Sequence, residues 1–179
     1  PDDYILHVGT WEPRKNIYGL LQAYQQLLQR LPDAPPVLLV GKPGWLFKHE
    51  REKIDALNIS QHLIWREDIT TNHLPHVYNR ARVTVVPSFY EGFGLPALES
   101  MACGTPVIAS DRSALPEVVG DAGLLVNPDD PAAIADALYT ALLDAAWHTE
   151  HSSKSLKQAK HYTWTRSAEV ALRVYQRLV

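Results

Sequence analysis

A single cysteine, Cys103, is all the thiol this chain carries, so no internal disulfide can hold it together. It sits beside Gly104 in an apolar stretch, where a lone cysteine reads as a small core residue rather than a nucleophile. Long apolar runs are also missing. No stretch reaches the roughly 18 residues that mark a membrane-spanning helix, and no secretory leader is recognisable. Neither charge sign is in large excess. The formal net charge of −3 gives no general affinity for nucleic acid or an anionic membrane surface. No internal repeat and no low-complexity segment occurs. No Gly-x-Gly-x-x-Gly follows the first apolar run, which leads into Gly9-Thr10-Trp11, and this argues against a dinucleotide oxidoreductase. There is also no Asp-x-Asp pair to hold a divalent metal. The adjacent Asp129 and Asp130 precede Pro131 and read as a turn and a helix cap.

What is present suits one globular domain: 179 residues, 46% of them apolar and 21% charged. Pro1-Asp2-Asp3 reads as a linker or edge, and a further portion is expected upstream. Short apolar runs alternate with longer amphipathic ones. Tyr4–Val8, Val37–Val40, Leu63–Trp65, Val83–Val86, Pro106–Ala109 and Leu124–Val126 read as strands, continuous in their apolar character as in a parallel sheet buried on both faces. Ile17, Leu20, Leu21, Tyr24, Leu27, Leu28 and Leu31 form a helical stripe with Asn16 placed to cap it. Further helices are predicted over Pro96–Ala102, Ala114–Val119, Pro131–Leu143 and Trp164–Leu178. The last carries Ala168, Ala171, Leu172, Tyr175 and Leu178 on one side. The alternation predicts an α/β fold, a doubly wound parallel sheet of about six strands with helices on both faces. Such sheets bind ligands beyond the C-terminal strand ends, at the point where the winding reverses.

The richest loop is Pro87-Ser88-Phe89-Tyr90-Glu91-Gly92-Phe93-Gly94-Leu95-Pro96, continuing through Ala97-Leu98-Glu99. Gly92 and Gly94 let the backbone turn tightly and approach a ligand. Pro96 opens a helix whose free N–H groups, at Gly94 and Leu95, make a phosphate site. Glu91 and Glu99 bracket that site, and a carboxylate can accept two hydrogen bonds from a vicinal diol. A ligand with phosphate between two sugars suits this set. Glu99 alone also reads as a charge placed favourably near a helix N-terminus.

With the continuation Ser100-Met101-Ala102-Cys103-Gly104-Thr105-Pro106, this segment resembles the donor signature of the retaining glycosyltransferases of family 4, whose motif is Glu, seven residues, Glu. Three more segments carry the same resemblance. They are Ile5 through Gly9-Thr10-Trp11-Glu12-Pro13-Arg14-Lys15-Asn16, Leu39-Val40-Gly41-Lys42-Pro43-Gly44-Trp45, and Leu115 through Val126. The resemblance implies the C-terminal, nucleotide-sugar-binding half of a two-domain GT-B fold, spanning 1–179, with an N-terminal acceptor domain outside this chain. It implies a hexosyltransferase whose donor is a nucleoside-diphosphate sugar, and the missing Asp-x-Asp pair points to a site without metal or other cofactor. Glu91 would contact the transferred sugar and Glu99 the ribose. The backbone at Phe93, Gly94 and Leu95 would hold the distal phosphate, and Lys15 the diphosphate. Glu91 and Lys15 are then the catalytic pair, with Gly9, Thr10, Arg14, Gly41 and Gly92 completing the donor site. The family often has Arg directly after the first glycine; Thr10 stands there instead, and Arg14 is the candidate for the second cation. Base contacts are expected from Gly41–Trp45 and Arg66–Ile69. Family members use GDP-, UDP- or ADP-sugars, and the Pro-Arg-Lys-Asn branch points to GDP-mannose. A cytoplasmic location is expected, with membrane association through the other half. A non-catalytic nucleotide-binding module and one half of a sugar-nucleotide epimerase are the alternative readings. His73 with His76 and His148 with His151 are spaced three apart but lack partner ligands, and read as surface positions. His7 is expected in the core or near the cleft. Packing is the expectation for Trp11, Trp45 and Trp65.

Overall fold

A computed structural model describes residues 3–177. Six strands form one parallel sheet: β1 (Ile5–Val8), β2 (Val37–Val40), β3 (Leu63–Arg66), β4 (Val83–Val86), β5 (Val107–Ser110) and β6 (Gly123–Val126). Their order is β3-β2-β1-β4-β5-β6, so the winding reverses between β1 and β4. The helices are α1 (Ile17–Arg30), α2 (Phe47–Asp55), α3 (Leu74–Arg80), α4 (Leu95–Ala102), α5 (Leu115–Val119), α6 (Pro131–Leu143), α7 (Ala145–Ala159) and α8 (Trp164–Gln176).

Strand alternation sorts the core into two layers. Ile5, Val37, Leu39, Val83, Val85 and Ile108 face α1 and α6. On the other face Leu6, Leu38 and Val40 meet Tyr78 of α3, while Val86, Val107 and Ala109 meet α4 and α5. The central strands β2, β4 and β5 are buried throughout, as their continuous apolar runs predict. The edge strands differ: β3 and β6 are largely half-exposed, because each has a neighbour on one side only.

Three helices carry no apolar stripe strong enough to read. Among its helical positions α2 buries only Ile54, and α3 only Tyr78. α7 buries Trp147, Ser155 and Ala159, two of them small. The stripe expected on the last helix is not buried among the described residues: Ala168, Ala171, Leu172 and Tyr175 of α8 are all exposed. Leu178 of that stripe, and Pro1 and Asp2 of the linker, lie outside the described residues.

Candidate functional site

The crevice starts where two strands part. β1 pairs with β2 along its whole length, to Val8 opposite Val40, but with β4 only at Ile5 and Leu6. His7 fills the gap beyond. Its Nδ1 lies 2.9 Å from the Val85 carbonyl, which can only accept, so Nδ1 carries the hydrogen and Nε2 the lone pair. Burial, and then nearby Lys15, push the ring down to about 4 despite the opposing Val85 bond, so His7 is neutral at physiological pH. Its Nε2 is buried with no partner among the described residues. A Cβ built on Gly9 would lie 3.5 Å from Lys15 Cε and 3.8 Å from His7 Nε2, so both line the space beside Gly9.

The β1–α1 loop is held at three points by one side chain. Asn16 sits in the left-handed region, at φ 55°, after a 3-10 turn over Pro13–Lys15. Its Oδ1 accepts from Gly19 N at 3.2 Å, the cap expected from sequence. Its Nδ2 also donates to Pro87 O at 3.1 Å and Pro128 O at 2.7 Å, tying together the loops after β1, β4 and β6. Phe89 N donates to Arg14 O at 2.8 Å, a second link between the β1 and β4 loops.

This anchoring delivers both Arg14 and Lys15 to Glu91. Lys15 Nζ donates to Glu91 Oε1 at 2.6 Å, and Arg14 NH1 approaches Oε2 at 3.4 Å. Adjacent residues in a strand would diverge; the tight 3-10 turn brings these two together. Arg14 also pairs with Glu12 at 2.8 Å. Two cations in the turn just ahead of α1 are thus compensated by two carboxylates. Glu91 is only 6% exposed and Lys15 7%. Ser88, buried, donates to Glu91 Oε1 at 2.8 Å, and Glu91 N donates to Ser113 Oγ at 2.9 Å. Burial pushes the Glu91 carboxyl up, but Lys15, Ser88 and Arg14 outweigh it and hold the group below the usual carboxylate range.

Beyond Glu91 the loop opens to solvent. Gly94 caps α4 with φ 96°, and a Cβ there would come within 2.7 Å of Leu115 Cδ2. Gly92 differs from the turn role expected of it. Its φ is not positive, and a Cβ would meet nothing within 4 Å. Phe93 and Leu95 are exposed, with the Phe93 ring edge-on to Tyr162. Pro96 contributes no N–H, and the N–H groups of Gly94 and Leu95 at the start of α4 have no backbone partner among the described residues. Glu99 stands exposed on α4, and Tyr78 donates to its Oε2 at 2.8 Å.

Gly41 is required by packing. A Cβ there would sit 1.9 Å from Gly9 O, because the loops after β1 and β2 are zipped by Gly9 N to Val40 O, Trp11 N to Lys42 O and Gly44 N to Trp11 O, each 2.9 Å. Thr10 is exposed beside Gly44. Trp11 is buried against Trp65 and Phe47, whereas Trp45 is 73% exposed and does not pack as expected. In the Arg66–Ile69 loop, Arg66 is paired with Asp68. His148 and His151 are half-buried, not surface groups, and each has a ring nitrogen on a backbone carbonyl, Arg82 O and Trp147 O. His73 and His76 are exposed. Asp130 caps α6 and Asp129 pairs with Arg112.

The structure thus brings Arg14, Lys15, Glu91 and the α4 N-terminus to one crevice, with Glu99 one turn further along. Sequence reasoning gave no role to Ser88, Ser113 or Tyr78. Ser88 stands in the quoted loop, but Ser113 and Tyr78 arrive from other segments without a local signal.

Comparisons with known proteins agree on this architecture. The chain is 41% identical over 175 residues to O-antigen chain mannosyltransferase B of Escherichia coli, covering 98% of this chain and 46% of that protein. It is 36% identical over 182 residues to serotype-specific mannosyltransferase WbdA of Escherichia coli, covering all of this chain and 22% of that protein. Among solved structures, sucrose-phosphate synthase of Thermosynechococcus elongatus superposes with a TM-score of 0.87 at 32% identity, over 99% of this chain and 46% of that one. The chain therefore spans less than half the length of these relatives. Residues 1–162 match the family model described as glycosyl transferases group 1, and the chain belongs to that family, with the Rossmann-like sheet of its GT-B structural neighbours.

Proposed function

We propose that this chain is the donor-binding half of a retaining, metal-independent mannosyltransferase that uses GDP-mannose. The observation that carries the reading is the convergence of Arg14, Lys15, the α4 N-terminus and Glu91 at the switch point between β1 and β4. Family membership supports the nucleotide-sugar donor, and the two Escherichia coli relatives, both named as mannosyltransferases, support the sugar. In this reading the acceptor site and remaining catalytic groups lie on residues beyond these 179, and membrane association, if the whole enzyme has it, resides there too.

Transfer develops positive charge at the anomeric carbon and negative charge on the departing diphosphate. Fixed cations and helix N–H groups aimed at that diphosphate stabilise the transition state more than the ground state. Lys15 carries three donors, so it can keep Glu91 and still offer N–H groups to a phosphate. Glu91, fixed by Lys15 and Ser88, then presents its remaining lone pairs to the hexose hydroxyls. Glu99 receives the ribose diol.

The test is calorimetry of the 179-residue chain with GDP, UDP, ADP and GDP-mannose, with and without EDTA. GDP and GDP-mannose are expected to bind most tightly, unchanged by the chelator, with no transfer to any acceptor. Binding abolished by EDTA contradicts metal independence, and absence of any nucleotide binding contradicts the donor site. Robust turnover contradicts the two-domain reading.

A further inference from the structure

Three other tyrosine hydroxyls end on main-chain carbonyls: Tyr4 on Val77 O, Tyr24 on Pro35 O and Tyr162 on Glu117 O, at 2.7 to 3.0 Å. Tyr78 is different. Its ring is 1% exposed, yet its hydroxyl ends on Glu99, a carboxylate on the solvent side of α4. A buried phenol needs a partner, and a carbonyl would serve a purely structural role at no electrostatic cost. Here the buried ring reaches outward to a charged group in the candidate site.

Tyr78 is itself fixed from below. Its carbonyl accepts from Thr105 Oγ1 at 2.7 Å, and Thr105 N donates to Ser100 O at 3.0 Å. Ser100 Oγ donates to Thr105 O at 3.1 Å and shares a hydroxyl–hydroxyl bond of 2.8 Å with Thr84 Oγ1. This buried relay links α3, α4, β4 and the approach to β5, so the position of the phenol is set by the sheet. Burial, then the Glu99 charge, drive the phenol pKa far above its usual range, so the group remains a donor at any working pH.

We propose that Tyr78 is a positioning residue for nucleotide recognition: its phenol holds Glu99 Oε2 so that the carboxylate meets the ribose diol already oriented. The proposal rests on the reading of Glu99 as the ribose contact. An exposed glutamate on a helix samples several rotamers, and fixing it beforehand removes an ordering cost from binding.

The experiment is calorimetric binding of GDP and of 2′,3′-dideoxy-GDP to the wild-type chain, Tyr78→Phe, Glu99→Ala and the double variant. Tyr78→Phe is expected to weaken GDP by about three- to tenfold, the span of one modest hydrogen bond, and to leave the dideoxy nucleotide unchanged. Unchanged dideoxy binding also reports an intact fold. In the Glu99→Ala background the same substitution is expected to alter neither nucleotide. Should Tyr78→Phe not fold, Glu99→Asp withdraws the acid from the phenol while leaving Tyr78 buried, and the same selective loss is expected. Equal weakening of both nucleotides, or retention of the wild-type GDP preference by either variant, overturns the positioning role. A wild-type chain that does not distinguish the two nucleotides overturns the ribose reading itself, and the proposal with it.

Discussion

Glu91 and Glu99 stand eight residues apart, one in a loop and one on the helix that follows, and the fold treats them in opposite ways. Glu91 is buried, with both oxygens engaged by Lys15, Ser88 and Arg14 and its own N–H held by Ser113. Glu99 is exposed, and the one hydrogen bond described for its side chain comes from the phenol of Tyr78. A loop supplies no periodic scaffold, so a carboxylate placed there takes its direction from its partners, and its burial costs several kcal/mol unless they are present. A helix backbone fixes only where the side chain starts, so Glu99 stays in solvent and takes its direction from the Tyr78 phenol. On the proposed donor-site reading, the buried end of the motif therefore couples ligand binding to stability more strongly than the exposed end.

Lys15→Ala is the strongest way to break this contrast. It strands a buried carboxylate and is expected to cost about 3 kcal/mol in urea unfolding, as well as at least tenfold in GDP affinity. Adding Glu91→Gln is expected to recover much of the stability and none of the affinity. Glu99→Ala strands only the neutral Tyr78 hydroxyl and is expected to cost less, about 1 kcal/mol. Equal unfolding costs for Lys15→Ala and Glu99→Ala contradict the comparison.

The pH dependence of stability sharpens it next. The unfolded chain protonates His7 near its ordinary value of 6.5, and the folded chain only near 4. Between those values the unfolded state takes up a proton that the folded state refuses. Stability is therefore complete above that window and falls as pH drops through it, with a slope of up to about 1.4 kcal/mol per pH unit from this group. Glu91 acts lower. Its folded pKa is depressed, so its contribution is present above the ordinary carboxylate range and is lost as pH falls toward the depressed value. His7→Gln is expected to flatten the slope between 6.5 and 4 in urea titrations and to leave the more acidic loss in place. An unchanged slope in that window contradicts the neutral, buried assignment.

Arg14→Ala is the smallest effect. Its side chain is 47% exposed, so its contact with Glu91 is screened by solvent. GDP affinity is expected to fall by less than about threefold, mainly at low salt. A loss as large as that of Lys15→Ala contradicts the ranking of the two cations.

Much of this was legible in the sequence, for physical reasons. Buried central strands must be apolar on both faces, so β2, β4 and β5 announce themselves. The α1 stripe and its Asn16 cap follow from helical periodicity and from orphan N–H groups. Glu91, Gly94 and Glu99 belong to one contiguous loop and helix, and could be read as a unit. The remainder depended on contacts that no local pattern encodes. Ser113 reaches Glu91 from the β5–α5 loop, and Tyr78 reaches Glu99 from α3. That Asn16 also joins the Pro87 and Pro128 loops follows only from the strand order. α7 was hidden because its buried face includes Ser155 and Ala159, too small to form a stripe.

The most direct test of the central claim is calorimetry of GDP and GDP-mannose against Glu91→Ala and Glu99→Ala in the 179-residue chain. Glu99→Ala is expected to weaken both ligands alike, by roughly ten- to a hundredfold for a lost charged hydrogen bond, because both contain the ribose. Glu91→Ala is expected to spare GDP and to weaken GDP-mannose. Equal losses of bare GDP in the two variants would contradict the division of labour between the buried and exposed carboxylates.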